Sequence, residues 1–330
     1  MKPRIVIPSG DPAGIGGEIV LKAICDPEVR AAADCIIIGS AAVYRDLARR
    51  CGMEFNLPIV GENEIEEGIC FLDMGQPKPE DFEYGVVSPV CGRAAYGYIQ
   101  KSVELCQRDL ADAVATTPIN KEALRAAGVP YIGHTEIYAA LTGTDDPLTM
   151  FETGDLRVFF LTRHVSLRKM LDMIKKERII DYVLRCKRAL DRLGVGEGTM
   201  AIAGLNPHSG EHGLFGTEEV EEIIPAVEEL RRRGIDVAGP IGADSVFHQA
   251  AQGKYNSVLS LYHDQGHIAT KTLDFERTIA LTNDMPFLRT SVDHGTAFDI
   301  AGRGIASGVS MKEAILIAAR YALAYKRTKV

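Results

Sequence analysis

Positive charge is in short supply in this chain. Its 37 Lys and Arg stand against 45 Asp and Glu, a net charge of −8. That balance argues against nucleic acid as a partner, because phosphate backbones need clustered basic residues. No apolar run reaches the roughly 18 residues of a membrane-spanning helix, so no membrane partner is expected. The chain passes from Met1 directly into the strand-like RIVIP without a signal-peptide pattern, and a cytoplasmic protein is expected. The seven cysteines form no CxxC pair and read as reduced thiols, most of them buried. Linkers, low-complexity segments and internal repeats are also missing. The Gly-rich turn GDPAGIG (Gly10 to Gly16) matches neither GxGxxG nor GxxxxGKS/T. It reads equally as a tight strand-to-helix turn and as a backbone grip for an anion at a helix N-terminus.

What is present is alternation. The 330 residues, 46% hydrophobic and 25% charged, suit one large or two medium soluble domains. Short apolar runs alternate with helical patterns, the signature of an α/β fold with a largely parallel sheet. Strands are expected at 4–8, 35–38, 69–73, 113–117, 157–162, 199–205, 257–262 and 287–292. Helices are expected over 18–24, 91–110, 166–175, 181–193 and 311–325, with Pro118 or Asn120 opening another. Thr217 is expected to cap a helix whose first turn holds Glu218 to Glu222.

Histidine placement is the strongest chemical signal. FFLTRH, MAIAGLNPH and LSLYHDQGH each carry an apolar strand pattern into an imidazole, at His164, His208 and His263. Open α/β sheets bind ligands beyond strand C-termini, so three such histidines suggest one site. Three neutral imidazoles suit zinc or a related transition metal and leave positions open for substrate oxygens. Asp264, Asn206 and Ser209 are candidates to orient the rings. Lys271 and Arg289 fit an anionic substrate. His134 and Thr135, at the start of a helix, form a further anion grip. The alternatives to a metal-dependent enzyme are a phosphate acyltransferase-like enzyme, which would need no metal and against which the three histidines argue, and a non-catalytic phospho-metabolite-binding protein.

The motifs GDPAGIGGEI, PINKEAL, GHTE, LTRH, GLNPHSGE, YHDQGH and RTSVDHGTAFDIAGRG occur in that order. Together they resemble the 4-hydroxythreonine-4-phosphate dehydrogenase family, which includes the vitamin B6 pathway (pyridoxine biosynthesis) enzyme and relatives acting on 4-phospho-D-threonate or 4-phospho-D-erythronate. The likeness runs from Arg4 to about Ala324. It implies a two-domain α/β/α fold like isocitrate and isopropylmalate dehydrogenases, with subdomains of roughly 1–130 plus 290–330 and 131–289 and a cleft between them. It also implies a homodimer with its active site near the subunit interface, and NAD or NADP as cofactor. The implied divalent metal is zinc first, with manganese, cobalt or magnesium as the other candidates, held by His164, His208 and His263. Implied substrate contacts are His134, Thr135, Lys271 and Arg289. Lys121, Asp244, Asp264 and Asn283 are candidates for proton transfer or support.

The implied reaction is oxidation of the C3 hydroxyl of a 4-phosphorylated four-carbon hydroxy acid (or of 4-phosphooxy-L-threonine), then decarboxylation of the β-keto acid. One contact departs from the family. Where it usually has Asn in V-N-I/V-T, this chain has Ala280, and Asn283 is the candidate replacement. The YHDQGHI and FDIAGRG wording resembles the phospho-threonate branch more than the B6 enzyme.

Overall fold

The structure, a computed structural model, describes residues 2–328. Twelve strands occur along the described residues: β1 (Arg4–Pro8), β2 (Asp34–Gly39), β3 (Ile59–Val60), β4 (Ile69–Asp73), β5 (Ala113–Thr116), β6 (Leu148–Thr153), β7 (Leu156–Phe160), β8 (Met200–Ala203), β9 (Val237–Ile241), β10 (Ser257–Ser260), β11 (Ile279–Asn283) and β12 (Leu288–Val292). The fold is α/β with mostly parallel strands, as the alternation implied. Two compact units divide it: Met1–Pro147 with Ile279–Val330, and Leu148–Thr278.

In the first unit the strand order is β3-β4-β2-β1-β5-β12-β11, and β11 runs antiparallel to β12. β2 is buried at all six positions, the continuous apolar pattern of a parallel strand covered on both faces. Val6, Ile36, Ile38 and Val114 pack against Tyr98, Ile99 and Val103 of the helix Pro89–Gln107. Each such side chain contributes about 1.5–3 kcal/mol of hydrophobic stabilisation. In the second unit the order is β6-β7-β10-β8-β9, with β6 antiparallel to β7.

β6, β9 and β11 were not expected from the sequence. LTMFET and IALTN mix polar residues into their runs, and VAGPI carries Pro240. Pro240 is accommodated because β9 ends the strand order and its pairing with β8 shifts register between Ala201 and Ala203. The boundaries near 130 and 290 also differ from those observed. The helix His134–Thr142 stays with the first unit because Tyr138 packs in its core and hydrogen-bonds Ser102 at 2.8 Å. β11 stays there through its ladder with β12. Asn120 is the cap that opens the helix Lys121–Ala126, its side chain accepting from the Ala123 N–H at 2.9 Å.

Candidate active site

The second unit gathers the imidazoles. β7, β10 and β8 are adjacent and parallel, so their C-terminal ends share one edge. His164 follows β7, His208 follows β8, and His263 opens the helix His263–Leu273 after β10. The His164 and His263 ring centroids lie 5.8 Å apart. His263 Nδ1 shares a 2.7 Å hydrogen bond with Asp264 Oδ1, which leaves Nε2 as the ring's free donor atom. A carboxylate behind an imidazole is the usual way to orient a metal ligand. Arg163, His164, Met170, Tyr262, His263 and Asp264 line a cavity of about 340 Å³.

His208 does not join the other two. Among the described residues no group of three or more His, Cys, Asp or Glu is close enough to hold a metal. The His208 ring instead lies 6.3 Å from that of Phe215. His208, Ser209, Gly210, Glu211 and His212 all have positive φ, between 42° and 79°, a left-handed run costly for the four non-glycine residues. Glu219 braces this loop. It is fully buried and accepts from the Leu205 N–H at 2.8 Å, the Asn206 N–H at 2.7 Å and Asn206 Nδ2 at 2.8 Å. Of the acids expected in a helix first turn, Glu219 and Glu218 thus serve the loop before it, and Glu222 pairs with Lys175. Thr217 opens this helix through its carbonyl, which accepts from the Glu221 N–H at 2.8 Å, while no side-chain hydrogen bond caps the π-helical turn Glu219–Ile223.

Three residues of HDQGH gain roles that the sequence reading left unassigned. Gln265 accepts from the Leu261 N–H at 2.7 Å and donates to the Gly204 carbonyl at 2.8 Å, tying the end of β10 to the start of the His208 loop. Gly266 lets the helix approach β7: a Cβ there would lie 2.6 Å from the Phe160 ring. His267 is 9% exposed, with its ring 4.1 Å from His263, 4.3 Å from Phe151 and 4.8 Å from Phe160. Burial, reinforced by His263 and Lys271, pulls its pKa down to about 4, so the ring is neutral. The i, i+4 spacing from His263 was the available signal. Lys271 lies one turn further, its Nζ 5.4 Å from the Phe275 centroid. Asp244 is exposed in the first turn of the helix Ala243–Ala251.

The first unit holds the guanidinium. Arg289 is 4% exposed within β12 and donates from Nε and Nη2 to Thr116 Oγ1, at 3.2 and 3.0 Å, and from Nη1 to Thr282 Oγ1 at 3.0 Å. Its carbon Cζ sits 5.4 Å from the Tyr138 ring centroid. Among the described residues no carboxylate pairs with it, and burial lowers its pKa to about 10. A buried cation held by hydroxyls and a π-face is suited to an incoming anion. His134, at the start of its helix, has an enclosed, unpartnered Nε2 and a pKa held well below the usual imidazole value by burial and then by Arg289. Thr135 follows it, partly exposed.

Other expected residues of this unit stand elsewhere. Lys121 is exposed at the start of its helix. Thr282 pairs with Arg289 and Ala280 with Ser291 across the β11–β12 ladder, so Ala280 and Thr282 share the Arg289 face. Alternation then turns Asn283 to the opposite face, where it is fully buried with both amide atoms unpartnered. It does not take the place left by Ala280. The GDPAGIG turn is buried throughout, and its glycines serve close packing: a Cβ on Gly10 would lie 2.2 Å from the Pro118 carbonyl oxygen. The tight-turn reading accounts for it. Asp11, within that turn, accepts from the Ala13 N–H at 2.9 Å, and its enclosed Oδ2 has no partner. No helix among the described residues is long and apolar enough to cross a membrane.

The chain is similar over most of its length to proteins already known. A protein of Clostridium botulinum provisionally named D-threonate 4-phosphate dehydrogenase is 58% identical, over 99% of both chains. A Fusobacterium nucleatum protein of the same provisional name is 58% identical over the full length of both. The crystal structure of 4-hydroxythreonine-4-phosphate dehydrogenase from Klebsiella pneumoniae matches 98% of each chain, with a TM-score of 0.89 at 38% identity. The family model for the pyridoxal phosphate biosynthetic protein PdxA matches residues 31–318, and the chain belongs to that family.

Proposed function

We propose that this chain is a dehydrogenase that oxidises the C3 hydroxyl of a 4-phosphorylated four-carbon hydroxy acid, with loss of CO2 from the resulting β-keto acid. The names of its relatives favour 4-phospho-D-threonate, with 4-phospho-D-erythronate and 4-phosphooxy-L-threonine as the neighbouring choices. The observation that carries the reading is Arg289, a largely buried cation with hydroxyl partners and, among the described residues, no carboxylate.

His164 and His263 fit a divalent metal, since neutral imidazoles backed by Asp264 match the donor set of zinc, manganese or cobalt. His208 is the third proposed ligand. When bound, the ion supplies Lewis-acid polarisation of substrate oxygens. A nicotinamide, NAD or NADP, supplies the hydride acceptor. No residue is assigned to it, because the Gly-rich turn is enclosed. Arg289 binds and orients one anionic group of the substrate, and Lys271 offers a second charge. Asp264 holds the His263 ring in one tautomer, with its proton on Nδ1. Asp264 is also exposed enough to pass a proton to solvent. The protein acts as a homodimer in the cytoplasm in this reading.

The test is a substrate panel of the three phosphorylated compounds with NAD and NADP, with and without added zinc or manganese. It is followed by the absorbance of the reduced nicotinamide and by trapping of CO2. Metal-dependent reduction with one of the three is expected. No turnover with any of them would end the proposal.

A further inference from the structure

His263, His267 and Lys271 recur at every fourth position of one helix and so share a face. A substrate held at Lys271 and reaching toward His263 passes His267. The ring of His267 is fixed in place by Phe151, Phe160 and the His263 ring. Its Nδ1 is enclosed and has no hydrogen-bond partner among the described residues. An enclosed N–H without an acceptor would cost about 1–3 kcal/mol. The cheaper tautomer leaves Nδ1 bare and places the proton on Nε2. An aromatic hydrocarbon would fill the space between the two phenylalanines without that cost, so packing does not explain an imidazole here.

We infer that His267 is a specificity residue: its Nε2–H donates to an oxygen substituent on the carbon next to the one oxidised, favouring a 2-hydroxy acid over the 2-amino counterpart. A hydroxyl oxygen has lone pairs to accept this hydrogen bond. An ammonium group has none, and it would set three donors against a fourth. A site built to hydrogen-bond one group discriminates strongly against a compound that cannot return the bond. The inference rests on the proposed dehydrogenase reading and adds to it the basis for choosing between the acid and amino acid substrates.

The decisive variant is His267→Phe, which keeps a ring between Phe151 and Phe160 and removes both nitrogens. The kcat/KM ratio for 4-phospho-D-threonate over 4-phosphooxy-L-threonine is expected to fall about 10- to 100-fold, the effect of losing one hydrogen bond of this kind. Metal content and thermal midpoint should match or exceed those of the unaltered protein. An unchanged ratio in a folded His267→Phe protein overturns the inference. So does a parallel loss of both activities together with bound metal, which would show His267 acting through His263. If His267→Phe does not fold, His267→Gln decides, since it keeps an N–H donor: a ratio near that of the unaltered protein supports the inference, and a tenfold fall overturns it. Unaltered protein that turns over none of the phosphorylated acids removes the functional proposal, and this inference with it.

Discussion

The second unit carries its functional groups beyond the ends of strands; the first carries its own within a strand. His164, His208 and His263 all follow parallel strands, on turns and at a helix start that meet solvent. Arg289 lies inside β12, flanked by β5 and β11, with 4% of its surface exposed. Groups borne on loops can shift, and His208 sits in a left-handed run outside any strand. A mid-strand cation cannot shift, because every neighbouring backbone group is committed to the ladder. The histidines thus depend on loop conformation for their placement, whereas Arg289 depends on the sheet.

Substitutions can break this contrast. His263→Ala removes the imidazole that Asp264 orients, and turnover should fall by about 10³-fold or more, the equivalent of several kcal/mol of Lewis-acid stabilisation. Loss of bound metal, measured by elemental analysis, should accompany it; a metal-replete, active variant would remove His263 from the metal site. Arg289→Met leaves the volume filled and deletes the charge. Truncating one side of a buried charge contact costs about 2–5 kcal/mol, so KM for a phosphorylated acid should rise by roughly 30-fold or more with metal content unchanged. An unaltered KM would show that the anion binds elsewhere. Asp264→Asn should weaken metal retention by about 10- to 100-fold, as outer partners of metal-bound histidines do, while the fold is kept. Competition with a chelator reads this directly.

The smallest effect sharpens the comparison inside the first unit, where Asp11 is a buried acid as Arg289 is a buried base. Burial raises the Asp11 pKa from 3.8 to about 6, the Ala13 N–H opposing only in part. An acid whose folded pKa is raised binds its proton more tightly when folded. Its contribution is therefore favourable below about pH 4 and is lost as pH rises to about 6, costing about 2–3 kcal/mol above that. Asp11→Asn should stabilise the protein by about 1–2 kcal/mol at pH 8 and have no effect near pH 4, since the amide inherits the unpartnered position. Urea unfolding at the two pH values checks this. Equal effects at both would show that Asp11 carries no charge at pH 8.

The main elements were legible because buried parallel strands read as apolar runs and their order along the chain is simple. β2 and β10 are examples, as is the alignment of three histidines after three strands. β6, β9 and β11 were not legible, since their side chains alternate or include Pro240 and their pairing depends on strands remote in sequence. Among site residues, His263 and Arg289 were visible as types in context. Glu219, Gln265 and the buried setting of His267 were not, because each gains its role from a partner that only folding supplies.

By itself the sequence determined the family, the α/β alternation and the candidate groups, since these follow from local pattern and from motifs in a set order. Tertiary structure decided which groups meet. It brought His164 and His263 together, left His208 apart, enclosed the GDPAGIG turn and turned Asn283 to the face opposite Ala280. Burial, strand register and the lack of a counter-charge around Arg289 among the described residues are properties of neighbours in space, and no stretch of chain carries them alone.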